Sequence, residues 1–139
     1  EYRVRLAEEA RDWPDAERLQ RVCVAWDRER AAAALASPPE ELGSTARNTI
    51  RTLAVSIEEL GHIQREQGQP QCVASYEQSL GLLERIGEQA VSAICAFNLG
   101  RAYQEVPALR DLGEAERWYR RSLELRPKAD RLGQGRCHD

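Results

Sequence analysis

The stretch FNLGRAYQ (97–104) places Gly100 in the middle of a helical pattern, and IEELGHIQ (57–64) does the same with Gly61. A glycine inside a helix lowers the stability of that helix by about 1 kcal/mol relative to alanine, so its presence at two matching positions indicates a structural role. Around each glycine the apolar residues recur with the 3.6-residue period of a helix. The first set is Ala46, Ile50, Leu53, Ala54, Ile57, Leu60 and Ile63, and the second is Ala93, Ala96, Leu99, Tyr103 and Val106. The pattern predicts two copies of one helix, over 45–66 and 90–106, with the glycines 39 residues apart (61 to 100).

Each of these helices is followed by a second predicted helix with its own shared stripe. The stripe is a small residue, an aromatic residue four positions later and another small residue three positions after that: Cys72, Tyr76 and Ser79 in one copy, and Ala115, Tyr119 and Ser122 in the other. We predict that glycine on the first helix lets the antiparallel second helix approach its backbone, and that the aromatic ring fills the space beside it.

Turn-forming residues divide the chain into units. Gly68 and Pro70 separate the first pair of helices, with Pro70 expected in the first turn of the following helix, and EVPALRDLG (105–113) forms a longer loop in the second pair. SPPEELGST (37–45) is the clearest break, and Pro127 is expected to end the last complete helix. We therefore predict an irregular helical pair at 1–36, a connector at 37–44, two complete pairs at 45–87 and 88–127, and the start of a truncated further repeat at 128–139.

The two complete pairs resemble the tetratricopeptide repeats. The positions that carry the resemblance are Leu60, Gly61, Cys72, Tyr76 and Ser79 in the first pair, and Leu99, Gly100, Tyr103, Ala115, Tyr119, Ser122 and Pro127 in the second. Gln64 stands where that family usually has tyrosine, and the spacing exceeds the usual 34 residues, as in long-repeat bacterial members. The resemblance implies an all-α solenoid of antiparallel helical hairpins, wound as a right-handed superhelix, whose first helices line a concave groove for peptides or proteins.

Carried over by position, the groove-facing residues are Glu58, His62, Arg65, Glu66, Phe97, Asn98, Arg101 and Gln104. They lie on or beside the helix face opposite the apolar stripe, so we expect them to be accessible to solvent. One interpretation is a peptide groove of mixed charge, with Phe97 as an apolar anchor and the arginines holding carboxylates. The other is a solvated helix face with pairs such as Glu58 and His62. Chaperone-tail binding is disfavoured, because the single lysine, Lys128, lies outside the groove helices.

Composition and motifs disfavour several classes of function. The net charge of -3 argues against a nucleic-acid binder, and no apolar run approaches the roughly 20 residues of a membrane span. Cys137, His138 and Asp139 are adjacent at the end of the sequence, where no enclosed pocket is expected. We find no enzyme signature, and we expect no metal site and no cofactor. The four cysteines lack metal-ligand spacing and are expected to be reduced, mostly buried thiols.

The sequence thus predicts a non-catalytic protein- or peptide-binding segment, serving as a scaffold or sensor arm of a larger, cytoplasmic bacterial regulatory protein. The absence of methionine leads us to expect a fragment or processed product. The alternative is a self-assembly module that forms a homo-oligomer through its terminal helices, and a small-ligand sensor is a third possibility. Trp13, Trp26 and Trp118 fit either interface anchors or packing between repeats, with packing favoured.

Overall fold

A computed structural model describes residues 2–126, and these residues form an all-α fold with no strand. The six α-helices are α1 (Tyr2–Glu9), α2 (Trp13–Leu35), α3 (Ser44–Glu66), α4 (Cys72–Arg85), α5 (Gln89–Glu105) and α6 (Leu112–Leu125). One turn of 3-10 helix, Pro39–Glu41, interrupts the connector between α2 and α3. None of the helices within residues 2–126 has both the length and the apolar character needed to span a membrane.

Each helix packs mainly against the helix that precedes or follows it in the chain. The apolar stripes predicted for α3 and α5 face the core: their leucine and isoleucine side chains are buried, as are most of their alanines. The largest buried cluster is formed by side chains of α3, α4 and α5, and side chains of α6 pack against it. It includes Cys72, Tyr76, Leu83, Cys95 and Leu99. Cys72 and Cys95 are free thiols buried in that cluster, as the sequence predicted for most of the cysteines.

Three helices end in the same hydrogen-bonded turn. In each, one residue adopts a positive φ angle, at Arg11 (58°), Gly68 (70°) and Gly87 (75°), and its N–H and the next N–H bond back to carbonyls of the helix. These two hydrogen bonds satisfy carbonyl groups that would otherwise lack a partner at the helix end, and the residue with positive φ is usually glycine. Arg11 therefore occupies a backbone conformation that its Cβ atom disfavours.

Arginine side chains bond the carbonyls of helix ends, both within a helical pair and between pairs. Arg47 of α3 donates to the carbonyl of Ile86, 2.6 Å away, at the end of α4. Arg85 of α4 donates to the carbonyls of Leu35, at 3.1 Å, and Ser37, at 2.6 Å, at the end of α2. Both guanidinium groups bond carbonyls that helix ends leave without partners. Arg47 thereby closes its own pair, and Arg85 joins its pair to the preceding one.

Two details differ from the sequence-based expectation. Pro70 lies in the turn before α4 and not in its first helical turn, because α4 begins at Cys72. The N–H groups of Cys72 and Val73 donate to the carbonyls of Gln69 and Pro70 and close this turn. Trp26 is 62% exposed and does not pack between helical pairs, whereas Trp13 and Trp118 are partly buried against core clusters. The expected helix end at Pro127 and the start of a further repeat at 128–139 lie outside the described residues.

Replacing Arg11 with glycine tests the turn between α1 and α2. Glycine reaches φ 58° without steric cost, so Arg11→Gly should raise the free energy of unfolding by about 0.5–1 kcal/mol, measured by urea denaturation. Arg11→Ala is the control, because it removes the same side chain and keeps the Cβ atom, and it should bring no gain. A glycine variant no more stable than the alanine variant would contradict the strain at this residue.

Candidate functional site

The second helix of each complete pair lies against the backbone of the first at a glycine. A Cβ atom built on Gly61 would stand 2.9 Å from Cε1 of Tyr76. A Cβ atom on Gly100 would stand 2.6 Å from Cδ1 of Tyr119 and 3.1 Å from the carbonyl oxygen of Ala115. Real Cβ atoms do not approach ring carbons this closely, so only glycine fits at either place without a shift of the tyrosine ring. The predicted approach of the paired helices is confirmed at both glycines.

In each pair, the serine three residues after the tyrosine forms a hydrogen bond to the first helix. Ser79 Oγ donates to the carbonyl of Ala54 at 2.8 Å, and Ser122 Oγ donates to the carbonyl of Ala93 at 2.6 Å. Both bonds are buried, and the two acceptors occupy equivalent positions, seven residues before each glycine (54 to 61, 93 to 100). The stripe read from the sequence therefore makes the same contacts twice.

Gly100→Ala should destabilise the chain because its methyl group meets the Tyr119 ring and a backbone oxygen that cannot move freely. We expect a loss of about 1–3 kcal/mol in the free energy of unfolding, despite the higher helix propensity of alanine. Gly81→Ala is the matched control: Gly81 lies within α4, and a Cβ atom built on it has nothing within 4 Å, so alanine there should stabilise by about 0.5–1 kcal/mol. Thermal and urea unfolding of both variants measures the contrast, and equal effects would contradict the contact.

The predicted groove residues divide into three groups by exposure. Glu66, Phe97 and Gln104 are exposed, and His62, Arg65 and Arg101 are half-buried. Glu58 and Asn98 are only 8% and 7% exposed, so the expectation that they are accessible is wrong. Asn98 Nδ2 donates to Glu58 Oε1 at 2.9 Å, and the two side chains thereby join α5 to α3. Because these two side chains meet between α3 and α5, they contact each other and are withdrawn from solvent.

Burial raises the pKa of Glu58, and the hydrogen bond from Asn98 partly offsets that rise. The carboxyl group is therefore held by one amide in a poorly solvated position. It is a link between helices and offers little surface to a ligand.

His62 is held as a neutral ring. Its Nδ1 lies 2.7 Å from the hydroxyl of Tyr76, and its Nε2 lies 4.0 Å from Glu58. Burial is the largest cause that lowers the pKa of His62 to about 4, and the positive charges of Arg65 and Arg101 act in the same direction. The two guanidinium groups, from α3 and α5, thus act on the same imidazole ring.

Arg65 has an unusual position among the half-buried arginines. Its guanidinium lies over the Tyr76 ring, 5.9 Å from the ring centre, and its Nη1 is buried without a hydrogen-bond partner. Arg101 pairs with Glu105 at 3.1 Å on the surface of α5. The two arginines therefore differ: Arg101 has an exchangeable acidic partner, and Arg65 has a buried donor with none.

Exposed apolar side chains run beside these polar groups. Val55 of α3 is 51% exposed, Ile94 of α5 is 54% exposed and Phe97 is 40% exposed. The Phe97 ring packs against Tyr119 with ring centres 5.1 Å apart, and the Tyr119 hydroxyl donates to Gln104 Oε1 at 2.6 Å. Val55 and Ile94 were missed from the sequence, although their spacing (55 to 94) equals that of the two glycines. We call this surface the α3/α5 face; its members are Val55, His62, Arg65, Ile94, Phe97 and Arg101.

A separate cleft of about 680 Å³ lies between α1, α2 and α3. Its lining includes the exposed Val22 and Trp26 together with Val55, which also belongs to the α3/α5 face. Within the described part of the chain, no group of three or more histidine, cysteine or acidic side chains is placed to hold a metal ion. Cys137, His138 and Asp139 lie outside that part.

Comparison with known protein families, with curated proteins and with solved structures finds no significant match for this chain. The tetratricopeptide resemblance therefore stays a prediction that rests on the residues and contacts described above.

The buried neutral His62 predicts a pH dependence of stability. A histidine whose folded pKa is about 4, below the usual 6.5, stabilises the folded state above pH 6.5, and this contribution is lost as the pH falls towards 4. The unfolding free energy of the wild type minus that of His62→Gln should fall by about 1–2 kcal/mol between pH 7 and about pH 4.5, after allowance for solvent screening. Urea denaturation at both pH values measures it. A difference that stays constant would show that protonation of His62 is not linked to folding.

Proposed function

We propose that this chain is a non-catalytic protein- or peptide-binding segment of the tetratricopeptide type, in which the helical pairs follow one another as a right-handed solenoid. The α3/α5 face would be its binding surface. The observation that carries the proposal is the row of exposed apolar side chains, Val55, Ile94 and Phe97, on the two first helices. Single exposed apolar residues are ordinary, but Val55 and Ile94 occupy equivalent positions on the two helices and both are exposed, which marks a repeated surface beside Phe97.

The chemistry of this face suits recognition of an extended or helical segment. Phe97 offers an aromatic anchor that is already oriented by its contact with Tyr119, so little side-chain freedom remains to be lost on binding. Arg65 on α3, and Arg101 and Gln104 on α5, follow the apolar side chains along the same helices and add polar donors and acceptors. An apolar centre with a polar rim is the usual composition of a protein interface.

The proposal includes a wider setting. We infer a role as scaffold or sensor arm of a larger bacterial regulatory protein in the cytoplasm. The free thiols Cys72 and Cys95, buried in the core and unpaired, are typical of a reducing compartment and support the cytoplasmic location.

Peptide selection tests the proposed surface. Short peptides selected from a random display library against the full chain should bind through the α3/α5 face, and Phe97→Ala should weaken their affinity by about tenfold or more, measured by calorimetry. Leu123→Ala is the control, because Leu123 is similarly exposed (48%) but lies on α6. Selected peptides whose affinity depends on Leu123 and not on Phe97 would overturn the proposed surface.

Self-assembly is the second candidate, and exposed apolar residues on the terminal helices favour it. Tyr2 and Leu6 on α1, and Leu112 and Leu123 on α6, are all exposed. Sedimentation of the full chain decides between the candidates. A dimer that Leu112→Gln or Leu123→Gln dissociates, and Phe97→Ala leaves intact, would favour assembly through the helix ends.

A further inference from the structure

We propose that the cleft between α1, α2 and α3 is a docking site for a basic segment of a partner protein, in which Trp26 receives an arginine side chain beside the Asp27 carboxylate. This inference goes beyond the proposed function, because it assigns a second surface that shares only Val55 with the α3/α5 face. The cleft has a volume of about 680 Å³.

One side of α2 is open to solvent at this cleft. α1 covers the early part of α2, where Val4 packs in a buried cluster with Ala16. Further along α2, Val22 and Trp26 are each 62% exposed, and their spacing of four residues places them on the same helix face. Both line the cleft together with Val55, which is 51% exposed. The cleft therefore has an apolar wall that the described residues leave uncovered.

Hydrogen bonds between α2 and α3 hold the polar part of the cleft in place. Ser56 Oγ donates to Asp27 Oδ2, and Gln20 Nε2 donates to the carbonyl of Ser56 at 2.9 Å. Asp27 is half-buried, so part of its side chain remains open to solvent. A carboxylate has about four acceptor sites, and the bond from Ser56 leaves the others for a ligand.

The charge of the cleft favours a cationic occupant. Its charged lining residues are Arg5, Glu8, Asp27, Arg51 and Glu59. Arg51 forms an ion pair with Glu88, just before α5, and that pair is neutral as a whole. Three carboxylates then stand against one arginine, so the remaining local charge is -2. A local negative charge attracts cations and disfavours anionic partners.

A tryptophan beside carboxylates suits an arginine side chain. The face of the indole ring attracts a cation, and tryptophan does so more strongly than tyrosine or phenylalanine. A guanidinium group is planar, so it can stack on the ring and donate N–H bonds to a carboxylate from its edge. The methylene stem of the same arginine would pack on Val22 and Val55, which line the cleft with Trp26.

The open form of the cleft favours a side chain of a protein over a free small molecule. Small-ligand sites usually bury about 70–90% of the ligand surface. Val22, Trp26 and Val55 are all more than half exposed, so a whole molecule bound on them would keep much of its contact with water. A side chain that enters the cleft from a backbone outside it needs no such enclosure.

Paired peptides test the cleft on the full chain. The probes are acetyl-Arg-Leu-Arg-Leu-Arg-amide and the same peptide with glutamine in place of each arginine. We expect the arginine peptide to bind about tenfold tighter or more in low salt, measured by calorimetry. Trp26→Leu should remove most of this preference, because leucine keeps an apolar surface and loses the aromatic face. Asp27→Asn should reduce it, since asparagine keeps an acceptor for Ser56 and loses the charge.

Glu29→Gln is the matched control for charge. Glu29 is an exposed residue of α2, two positions after Asp27, and it lines a different cleft, between α2, α3 and α4. The chain has a net charge of -3, and Asp27→Asn and Glu29→Gln change that charge by the same amount. Only Asp27→Asn should weaken binding of the arginine peptide. Equal losses in the two variants would mean attraction by the whole chain and would overturn the inference.

Tryptophan fluorescence supplies an independent readout. Trp26 is the most exposed of the three tryptophans, because Trp13 and Trp118 are half-buried. Acrylamide should therefore quench Trp26 most readily. Saturation with the arginine peptide should cover this ring, so that the quenching constant of the wild type falls towards that of Trp26→Leu. A bound arginine peptide that leaves the quenching unchanged would overturn the inference.

The remaining outcomes separate this inference from the proposed function. Equal affinity for the two peptides, no binding of either, or a preference that survives in Trp26→Leu would each overturn the cleft as a docking site. Loss of the preference in Phe97→Ala alone would assign the arginine peptide to the α3/α5 face and would overturn it too. The proposed function stands or falls separately, with the library-selected peptides.

A second copy of the chain is the other occupant that the test can detect. Sedimentation of the wild type and of Trp26→Leu, with circular dichroism to show that the variant is folded, decides this point. We expect the two to sediment alike. A dimer that Trp26→Leu dissociates would make a second copy the occupant of the cleft and would overturn the inference.

Discussion

The contact between a tyrosine ring and bare helix backbone is the constraint on which the rest of the structure depends. Tyr76 lies over Gly61 and Tyr119 over Gly100, at separations that leave no room for a methyl group. That approach brings Ser79 and Ser122 within bonding distance of carbonyls on the opposite helix. The loss of helix propensity at glycine is offset by a ring buried against backbone and a hydrogen bond shielded from water. The same two contacts thereby hold each pair together.

Buried apolar clusters join neighbouring pairs, and polar side chains that reach between helices add hydrogen bonds to them. Arg85 donates to carbonyls at the end of α2, and Asn98 of α5 donates to Glu58 of α3. Such bonds require defined geometry, so they fix how one pair sits on the next, whereas apolar contact alone would tolerate sliding. These bonds also determine which residues form the α3/α5 face. Glu58 and Asn98 are buried where they bond each other, so the face consists of the side chains that remain exposed or half-buried around them.

The sequence predicted the features that depend on local pattern. Helical period, the glycine positions and the small–aromatic–small stripe follow from residues a few positions apart, and the structure has them where they were expected. It could not predict that Glu58 and Asn98 would be buried, because that depends on how closely α3 and α5 approach one another. Arg65 is a similar case: a surface arginine by its helix position, it is half-buried because the Tyr76 ring lies beneath it. Val55 and Ile94 could have been found, since their spacing repeats that of the glycines.

The segment from Gly100 to Tyr119 is four residues longer than the segment from Gly61 to Tyr76 (19 against 15), yet both end in the same contact of a tyrosine ring with glycine backbone. The two glycines are 39 residues apart (61 to 100), whereas the two tyrosines are 43 apart (76 to 119). The extra residues are closed off by a bond from the Asp111 N–H to the Tyr103 carbonyl, at 2.9 Å. The two paired helices therefore keep the same contact although the segments that connect them differ in length. Lengthening a hairpin tip costs little stability, so insertions can be accommodated there while the register of the paired helices stays fixed.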